Sequence, residues 1–314
     1  MRDRRLQAFR AVAKHRSFTK AADALCMTQP AVTFQIRQLE DHFNARLFDR
    51  AGGRITLTPA GTVALAYAER ILDLCDELDA KIKDLTGCEV GPLTIGASTT
   101  IAEFLLPRIV GEFKSLHPGI VPQLVVANSE VVQARVAERS LDVGFIEGDS
   151  HLATLATDVC CEDELHVVCA PSHPLARKKT VAVETLPGFP YIIREQGSGT
   201  REVLDNYLQK AGLSVDSLES IMEATSPEAV KGLVATGLGF TIMSSATVDK
   251  EVRLGDLVRI PLAPPLIRHL SVVYPRERIQ AKIVDDFIRF AKQRLAASRN
   301  GEFTVPYPRT VRVA

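Results

Sequence analysis

The chain has 314 residues, 46% of them hydrophobic and 24% charged, with no tryptophan and a net charge of zero. That length leaves room for two or three domains with cores of their own, and no window approaches the roughly 18 continuous apolar residues of a membrane span. The zero hides an asymmetry, because residues 1–58 hold 11 Lys/Arg against 5 Asp/Glu while the remainder holds 27 against 33. A basic head on a mildly acidic body suits a head that binds a polyanion. The opening "MRDRRLQAFRAVAKHRSF" lacks the apolar stretch of a secretory signal, so a cytoplasmic protein is expected.

The first helix is expected over "RLQAFRAVAKH", where Leu6, Phe9, Val12 and Ala13 share a side. Ser17 or Thr19 can cap the next, "FTKAADAL", whose Phe18, Ala21, Ala22 and Leu25 form a tight face. Its small alanines let a following helix cross at close range. After the break "CMT" comes "TQPAVTFQIRQLEDHF", with Thr28 as cap and Pro30 in the first turn, where its missing N–H costs nothing. Val32, Ile36, Leu39 and Phe43 recur at steps of 4, 3 and 4 and make one apolar face. Pro30, Phe34, Arg37 and Asp41 lie roughly opposite, with Gln29 and Thr33 on the flank. Two short helices around a short turn, the second polar outside, make a helix-turn-helix. "ARLFDRAGGRITLTPAG" then reads as strand, Gly52–Gly53 turn and strand, a wing carrying Arg46, Arg50 and Arg54. A generic helical bundle with a hairpin is the competing reading.

The segment from Leu6 to Gly61 resembles, without a gap, the N-terminal domain of LysR-type transcriptional regulators. The likeness rests on "FxxVAxxxSFTxAAxxLxxTQPAVTxQIxxLE" and on the wing "LFDR…ITLTPAG". The resemblance implies that the third helix enters the major groove, that Gln29, Pro30 and Thr33 approach bases, and that Arg50 and Arg54 meet the phosphate backbone. Thr28, Phe34 and Arg37 complete the candidate DNA-binding set. Many relatives carry a basic residue where this chain has Phe34. An arginine there can make a bidentate guanine contact, whereas phenylalanine offers only apolar contact to a thymine methyl. Two readings of Phe34 stand: it faces the groove, or it tucks against the wing or a partner subunit.

Thr58 and Pro59 open a long helix, "PAGTVALAYAERILDLCDELDAKIKDL", in which Tyr67, Ile71, Leu74, Leu78, Ile82 and Leu85 form one seam. Its 27 residues span about 40 Å, and the cheapest partner for such a seam is a second copy of the chain. Packing against its own C-terminal domain is the alternative. Gly87, Gly91 and Pro92 mark a hinge after it.

From Pro92 the chain alternates strand and helix: "PLTIGAS", helix "EFLLPRIVGEFKSLHP", "IVPQLVVAN", helix "SEVVQARVAERS" and "LDVGFIEG". A second set follows in "ELHVVCAP", "PYIIRE", helix "TREVLDNYLQKAG", "LESIMEA", helix "SPEAVKGLVATG" and "GFTIMSS". "IRHLSVVYP" and the helix "AKIVDDFIRFAKQRLAA" return to the first lobe. This is the grammar of parallel sheets with right-handed crossovers, in two lobes with a cleft beyond the carboxyl ends of the strands. "GASTT" (96–100) and "REQGSGTRE" (194–202) each stand where a strand gives way to a helix, offering backbone N–H groups and the hydroxyls of Ser98, Thr99, Thr100, Ser198 and Thr200. With Arg194 and Arg201 nearby, the pair suits a small anion, while ordinary capping explains any one hydroxyl.

The LysR resemblance continues here and implies a periplasmic-binding-protein-like domain that takes a small effector. By position, Ser98 to Thr100, Glu147, the loop 196–200 (Gln196, Ser198, Gly199 and Thr200) and Thr225–Ser226 line the cleft, with Arg194 and Arg201 beside it. Peroxide-sensing members carry a reactive cysteine in the loop corresponding to 194–205, and this chain has none there. The fold class expected is therefore α/β, with an N-terminal winged helix-turn-helix (1–58), a linker and dimerisation helix (59–87) and a two-lobed effector-binding domain (88–314). Lobe I covers about 92–161 and 267–298, and lobe II about 162–266.

The six cysteines, Cys26, Cys75, Cys88, Cys160, Cys161 and Cys169, form no CxxC pair and sit at no zinc spacing. They read as mostly buried thiols in a reducing compartment, with the vicinal Cys160–Cys161 as the one pair that merits a redox assay. Seven scattered histidines and the lack of GxSxG or HExxH leave no catalytic residues, metal ligands or cofactor to assign. The expected function is a LysR-type regulator that senses a small anionic metabolite. Its expected partners are double-stranded DNA, the effector, RNA polymerase and itself, as homodimer and homotetramer, with no membrane. A small-molecule-binding protein without regulated DNA binding is the alternative.

Overall fold

The computed structural model of the chain describes residues 3–49, 55–85, 91–276 and 281–298, which divide near residue 88 into two compact units. The first contains α1 (Arg4–His15), α2 (Phe18–Ala24), α3 (Gln29–Phe43), the strands β1 (Phe48–Asp49) and β2 (Thr56–Leu57), and α4 (Pro59–Leu85). Asp3, Ser17 and Thr28 each accept a backbone N–H at the start of a helix, and α1 and α3 end in left-handed residues, Arg16 and Asn44. Phe9, Val12, Phe18, Ala21, Val32 and Ile36 fill the core with Phe48, whose ring lies 5.2 Å from that of Phe9. Ala21 and Ala22 of α2 are buried between the larger side chains of its neighbours.

The apolar face of α3 departs from its sequence pattern at one end. Phe43 is half exposed, and Glu40 is buried instead. Past the left-handed Asn44 the chain doubles back over α3, so the position that faces inward there must satisfy backbone donors. Glu40 does so, accepting from the amides of Leu47 (2.8 Å) and Phe48 (3.4 Å). Thr58 ties the far side, donating to the Arg46 carbonyl at 2.7 Å and accepting from Gly61 N at 2.9 Å. The wing residues 50–54, among them Arg50, Gly52, Gly53 and Arg54, lie outside the described residues.

The second unit runs β3 (Gly91–Ser98), α5 (Thr99–Phe104), α6 (Leu106–Leu116), β4 (Ile120–Ala127), α7 (Ser129–Ala137), β5 (Val143–Glu147) and β6 (Leu155–Cys169). It continues through β7 (Val181–Ala182), β8 (Pro190–Arg194), α8 (Gly199–Lys210), β9 (Glu219–Ala224), α9 (Pro227–Ala235), β10 (Phe240–Ser244), α10 (Asp249–Leu254), β11 (Val258–Pro275) and α11 (Lys282–Ser298). Strand order is β4-β3-β5-β11-β6-β10-β8-β9, with β7 paired to β11. β3 is parallel to both β4 and β5, and β8 to both β9 and β10. Each lobe is thus a small parallel sheet flanked by helices.

β6 and β11 pair antiparallel from Leu155↔Pro275 to Cys169↔Val258 and pass through both lobes. Sequence patterning finds only one half of each. The acidic stretch 162–164 interrupts the apolar alternation of β6, and Pro264–Pro265 interrupt that of β11. Those prolines fall where the pairing register jumps between Pro261 and Leu266, as strand prolines without an N–H to donate must. The helix expected at 103–118 is two, because Pro107 opens a new first turn and the chain breaks at Leu105.

Gly61 stands in the first turn of α4, where an added Cβ would lie 2.0 Å from the Leu47 carbonyl oxygen. Backbone cannot yield as a side-chain tip can. Gly61→Ala should therefore lower the stability of the first unit by about 3 kcal/mol. Gly111→Ala, in α6 with nothing within 4 Å, should instead stabilise by about 0.5–1 kcal/mol. Thermal unfolding of the two variants checks both signs.

Candidate functional site

On α3 the buried residues are Val32, Ile36, Leu39 and Glu40. Thr28, Gln29, Pro30, Phe34 and Arg37 are exposed and Thr33 half-buried. Gln29 Nε2 donates to Thr33 Oγ1 at 3.1 Å, which orients the amide along the outer face. Phe34 keeps 56% of its surface in water and has no ring contact among the described residues. Its ring is not tucked against the described part of the wing. Arg46, just before β1, reaches Glu40 at 3.5 Å and is otherwise open to solvent.

α4 buries Ala68 and Leu72, and on a neighbouring stripe Tyr67, Ile71, Leu74, Leu78 and Ile82 are between 45% and 62% exposed. The side chain of Leu85, the last residue of that seam, lies outside the described residues.

In the second unit the expected effector residues collect at the carboxyl ends of parallel strands: Ser98 on β3, Glu147 on β5, Arg194 on β8, and Ser198 to Thr200 at the start of α8. Most of them are buried against each other. Glu147, 4% exposed, accepts from Thr200 Oγ1 at 3.3 Å and pairs with Arg268 Nη1 at 3.3 Å. Arg268 also donates to Thr200 Oγ1 (2.7 Å) and pairs with Asp163 (2.8 Å), which is held in turn by Ser244 Oγ (2.7 Å). Burial opposes ionisation of Glu147, but Arg268, then Thr100, Arg194 and Ser98, outweigh it and hold the carboxyl below its ordinary range. Arg268 is fully buried, and its two acids more than offset the burial that would lower its own pKa.

A second knot joins Arg194 to the other lobe. Its Nη2 donates to Thr99 Oγ1 and to the Thr225 carbonyl, both at 3.0 Å, and Glu195 lies alongside at 2.9 Å. Asn128 Nδ2 and Glu130 N donate to the carbonyls of Gln196 and Gly197, each at 3.4 Å. The side chain of Gln196 is exposed, Arg201 Nη1 bridges the Arg194 carbonyl (3.0 Å) and Glu223 (3.1 Å), and Ser226 makes no capping bond. The open cleft expected between these residues is closed. A Cβ on Gly199 would sit 2.6 Å from Glu147 Cβ, so the two lobes meet directly there. A cavity of about 770 Å³ lies beside this contact, between Gly148–His151, α8 and the bend Pro264–His269.

Arg268 and Asp163 escaped the sequence reading. The signal was present: Leu266, Arg268 and Leu270 share the buried face of β11, so a cation occupies an inward parity. Burial, with Cys161 beside it, pushes the Cys160 thiol up to about 12, far from thiolate at neutral pH. No group of three or more His, Cys, Asp and Glu able to hold a metal ion occurs among the described residues.

Two family profiles match the sequence. The bacterial regulatory helix-turn-helix of the lysR family covers residues 4–62, and the LysR substrate binding domain covers residues 87–296. A "Probable RuBisCO transcriptional regulator" of Synechocystis is 35% identical over 90% of this chain and 84% of that relative. A full-length OxyR variant from Pseudomonas aeruginosa shares the fold, with TM-score 0.67, 19% identity and 93% of both chains covered. The regulatory domain of CcmR from Synechocystis PCC6803, in complex with 2-PG, has TM-score 0.60 and 26% identity, covering 65% of this chain and 96% of that one.

Arg268→Met removes the cation and strands two buried carboxylates, a loss of about 3–5 kcal/mol at pH 7. The depressed Glu147 carboxyl stabilises the wild type above its ordinary value of 4.5 and loses that contribution as pH falls through the lower folded value. In the variant, burial of Glu147 without its counter-charge raises that carboxyl, so the deficit should shrink between pH 7 and 5. Unfolding measured at both pH values checks the sign.

Proposed function

The chain belongs to the LysR family of transcriptional regulators, and from that membership we propose how this particular chain reads DNA and what it senses. α3 lies in the major groove with Gln29, Pro30, Thr33 and Phe34 on base edges. Thr28, Arg37, Arg50 and Arg54 flank them on phosphates. The observation that carries this reading is the outer face of α3, where a half-exposed phenylalanine stands among polar groups with no ring contact among the described residues. Apolar contact with a thymine methyl gives that ring a partner. The bare seam of α4 pairs with a second copy, in a dimer within a homotetramer, and two reading heads then span spaced half-sites. RNA polymerase is the further partner, the site of action is the cytoplasm, and the chain catalyses no reaction.

In the second unit, a small anionic effector binds where Ser98 to Thr100, Arg194, Ser198 to Thr200 and Arg268 converge, entering as the lobes part. The complex of the CcmR domain with 2-PG supports an effector domain of this kind, and 2-PG is the first compound to test. The relatives' name supports RuBisCO genes as targets.

If each subunit neutralises about four phosphates, the dimer's log affinity for duplex DNA should fall with log salt at a slope near −7. Gln29→Ala should lose discrimination between sites, and Phe34→Ala should lose about 1 kcal/mol only at sites with thymine at the contacted step. A flat salt response would leave only ligand binding without regulated DNA binding. An equal loss on every sequence would give Phe34 a structural role.

For the effector, calorimetry with 2-PG and a panel of carboxylate and phosphate metabolites should find a ligand that Thr100→Val binds at least tenfold more weakly. A ligand that binds both proteins equally well would move the site elsewhere.

A further inference from the structure

The place where the two lobes meet is built for an anion and already holds one. Glu147 ends β5 with its carboxylate buried against Thr200 Oγ1 and Arg268 Nη1, each 3.3 Å away. The first turn of the twelve-residue α8 abuts it so closely that only glycine fits at 199, where a Cβ would fall 2.6 Å from Glu147 Cβ and 2.7 Å from its carbonyl oxygen. Positive helix end, guanidinium and hydroxyls therefore surround one carboxylate from inside the chain.

That carboxylate does not use all the polar atoms around it. Ser98 Oγ and Ser198 Oγ are buried and complete no hydrogen bond, and neither does Glu147 Oε1 itself. Ser98 Oγ lies near enough to favour the ionised form without closing a bond of its own. Ser198 precedes α8 without capping it. A carboxylate fixed to the end of a strand has two oxygens and one approach direction. A free anion with three or four oxygens, seated between the same groups, could engage both serines as well. Buried hydroxyls left without partners are uncommon and need a reason.

We propose that Glu147 is a tethered anion: its carboxylate fills the slot that an anionic effector occupies and so competes with it. The inference rests on the reading of this cluster as the effector site. Two anions cannot share a desolvated slot beside one paired guanidinium. The effector therefore enters only as Glu147 leaves. It then replaces, contact for contact, a bridge between lobe I and the Thr200 end of lobe II. Such an exchange changes the angle between the lobes only by the difference in affinity between the two arrangements, which is how a ligand this small can be read as a signal. The slot selects for a compact carboxylate or phosphate with more acceptor oxygens than Glu147 itself brings.

Chemical rescue tests this on the full-length chain in buffer free of carboxylate and phosphate. Glu147→Ala should raise amide exchange at least tenfold at Glu130, whose N–H donates to the Gly197 carbonyl across the lobes, and at 199–202. Exchange at Val143 to Phe145 in lobe I should stay as in the wild type, which verifies the fold. Millimolar acetate or inorganic phosphate should restore protection in the variant, while the wild type should require at least tenfold more phosphate for any response. Unchanged exchange in Glu147→Ala, or raised exchange that neither anion reverses, overturns the proposal. If the alanine variant does not fold, Glu147→Gln carries the comparison: phosphate must bind it at least tenfold more tightly than the wild type, and equal or weaker binding overturns the proposal. Rescue of Glu147→Ala by acetate in a chain whose wild type takes up no anionic metabolite would sink the effector reading alone.

Discussion

The guanidinium of Arg268 lies in β11 out of contact with water, and a cation so placed must find its counter-charges within the fold. It finds Glu147 at the end of β5 on one side and Asp163 on β6 on the other. Glu147 belongs to lobe I, Asp163 lies on one of the two strands that pass between the lobes, and Thr200, which also bonds Arg268, opens α8 of lobe II. Electroneutrality at one buried point thus fixes how closely the lobes approach. Glycine at 199 follows from it, since α8 must come within contact of Glu147 for Thr200 to reach both partners. The second knot, around Arg194, repeats the pattern with hydroxyl and carbonyl acceptors from the two lobes.

The first unit depends on similar economy with backbone groups. After α3 the chain must reverse within a few residues, which leaves the amides of Leu47 and Phe48 turned inward. Glu40 satisfies them, and Thr58 joins the Arg46 carbonyl to the first turn of α4. These contacts hold the turn into β1 against the rear of α3 and tie it to the start of α4, which packs on α1, so the side that carries Gln29, Thr33 and Phe34 is presented outward. The proposed contact of this face with base edges would need rigidity, because hydrogen-bond discrimination is lost over fractions of an ångström.

The two units meet different physical demands. DNA reading asks for an exposed and inflexible surface. Sensing asks for a contact between lobes stable enough to exist and weak enough to be exchanged. Buried ion pairs suit the second task because desolvation offsets most of their Coulomb attraction, so their net stabilisation is small although breaking one partner is costly. The exchange proposed for Glu147 relies on this near balance.

The α3 sequence by itself determined the reading head, because a helix repeats its face every few residues and the cap, the proline and the apolar steps all lie within one short segment. The same local logic placed Ser98, Thr100, Ser198 and Thr200 at strand-to-helix junctions, and the seam of α4 on one stripe. Only the tertiary structure decided what lies beside what. Phe43 and Glu40 exchanged their expected burial because the chain folds back over one end of α3, and no helical period encodes that. β6 and β11 ran through regions whose prolines and acids hide a strand, since their pairing is with residues about a hundred positions away. The closure of the cleft had no local signature at all. It follows from Arg268, Glu147 and Asp163 converging across separations of 121 and 105 positions, where only the fold can require that a buried charge be met.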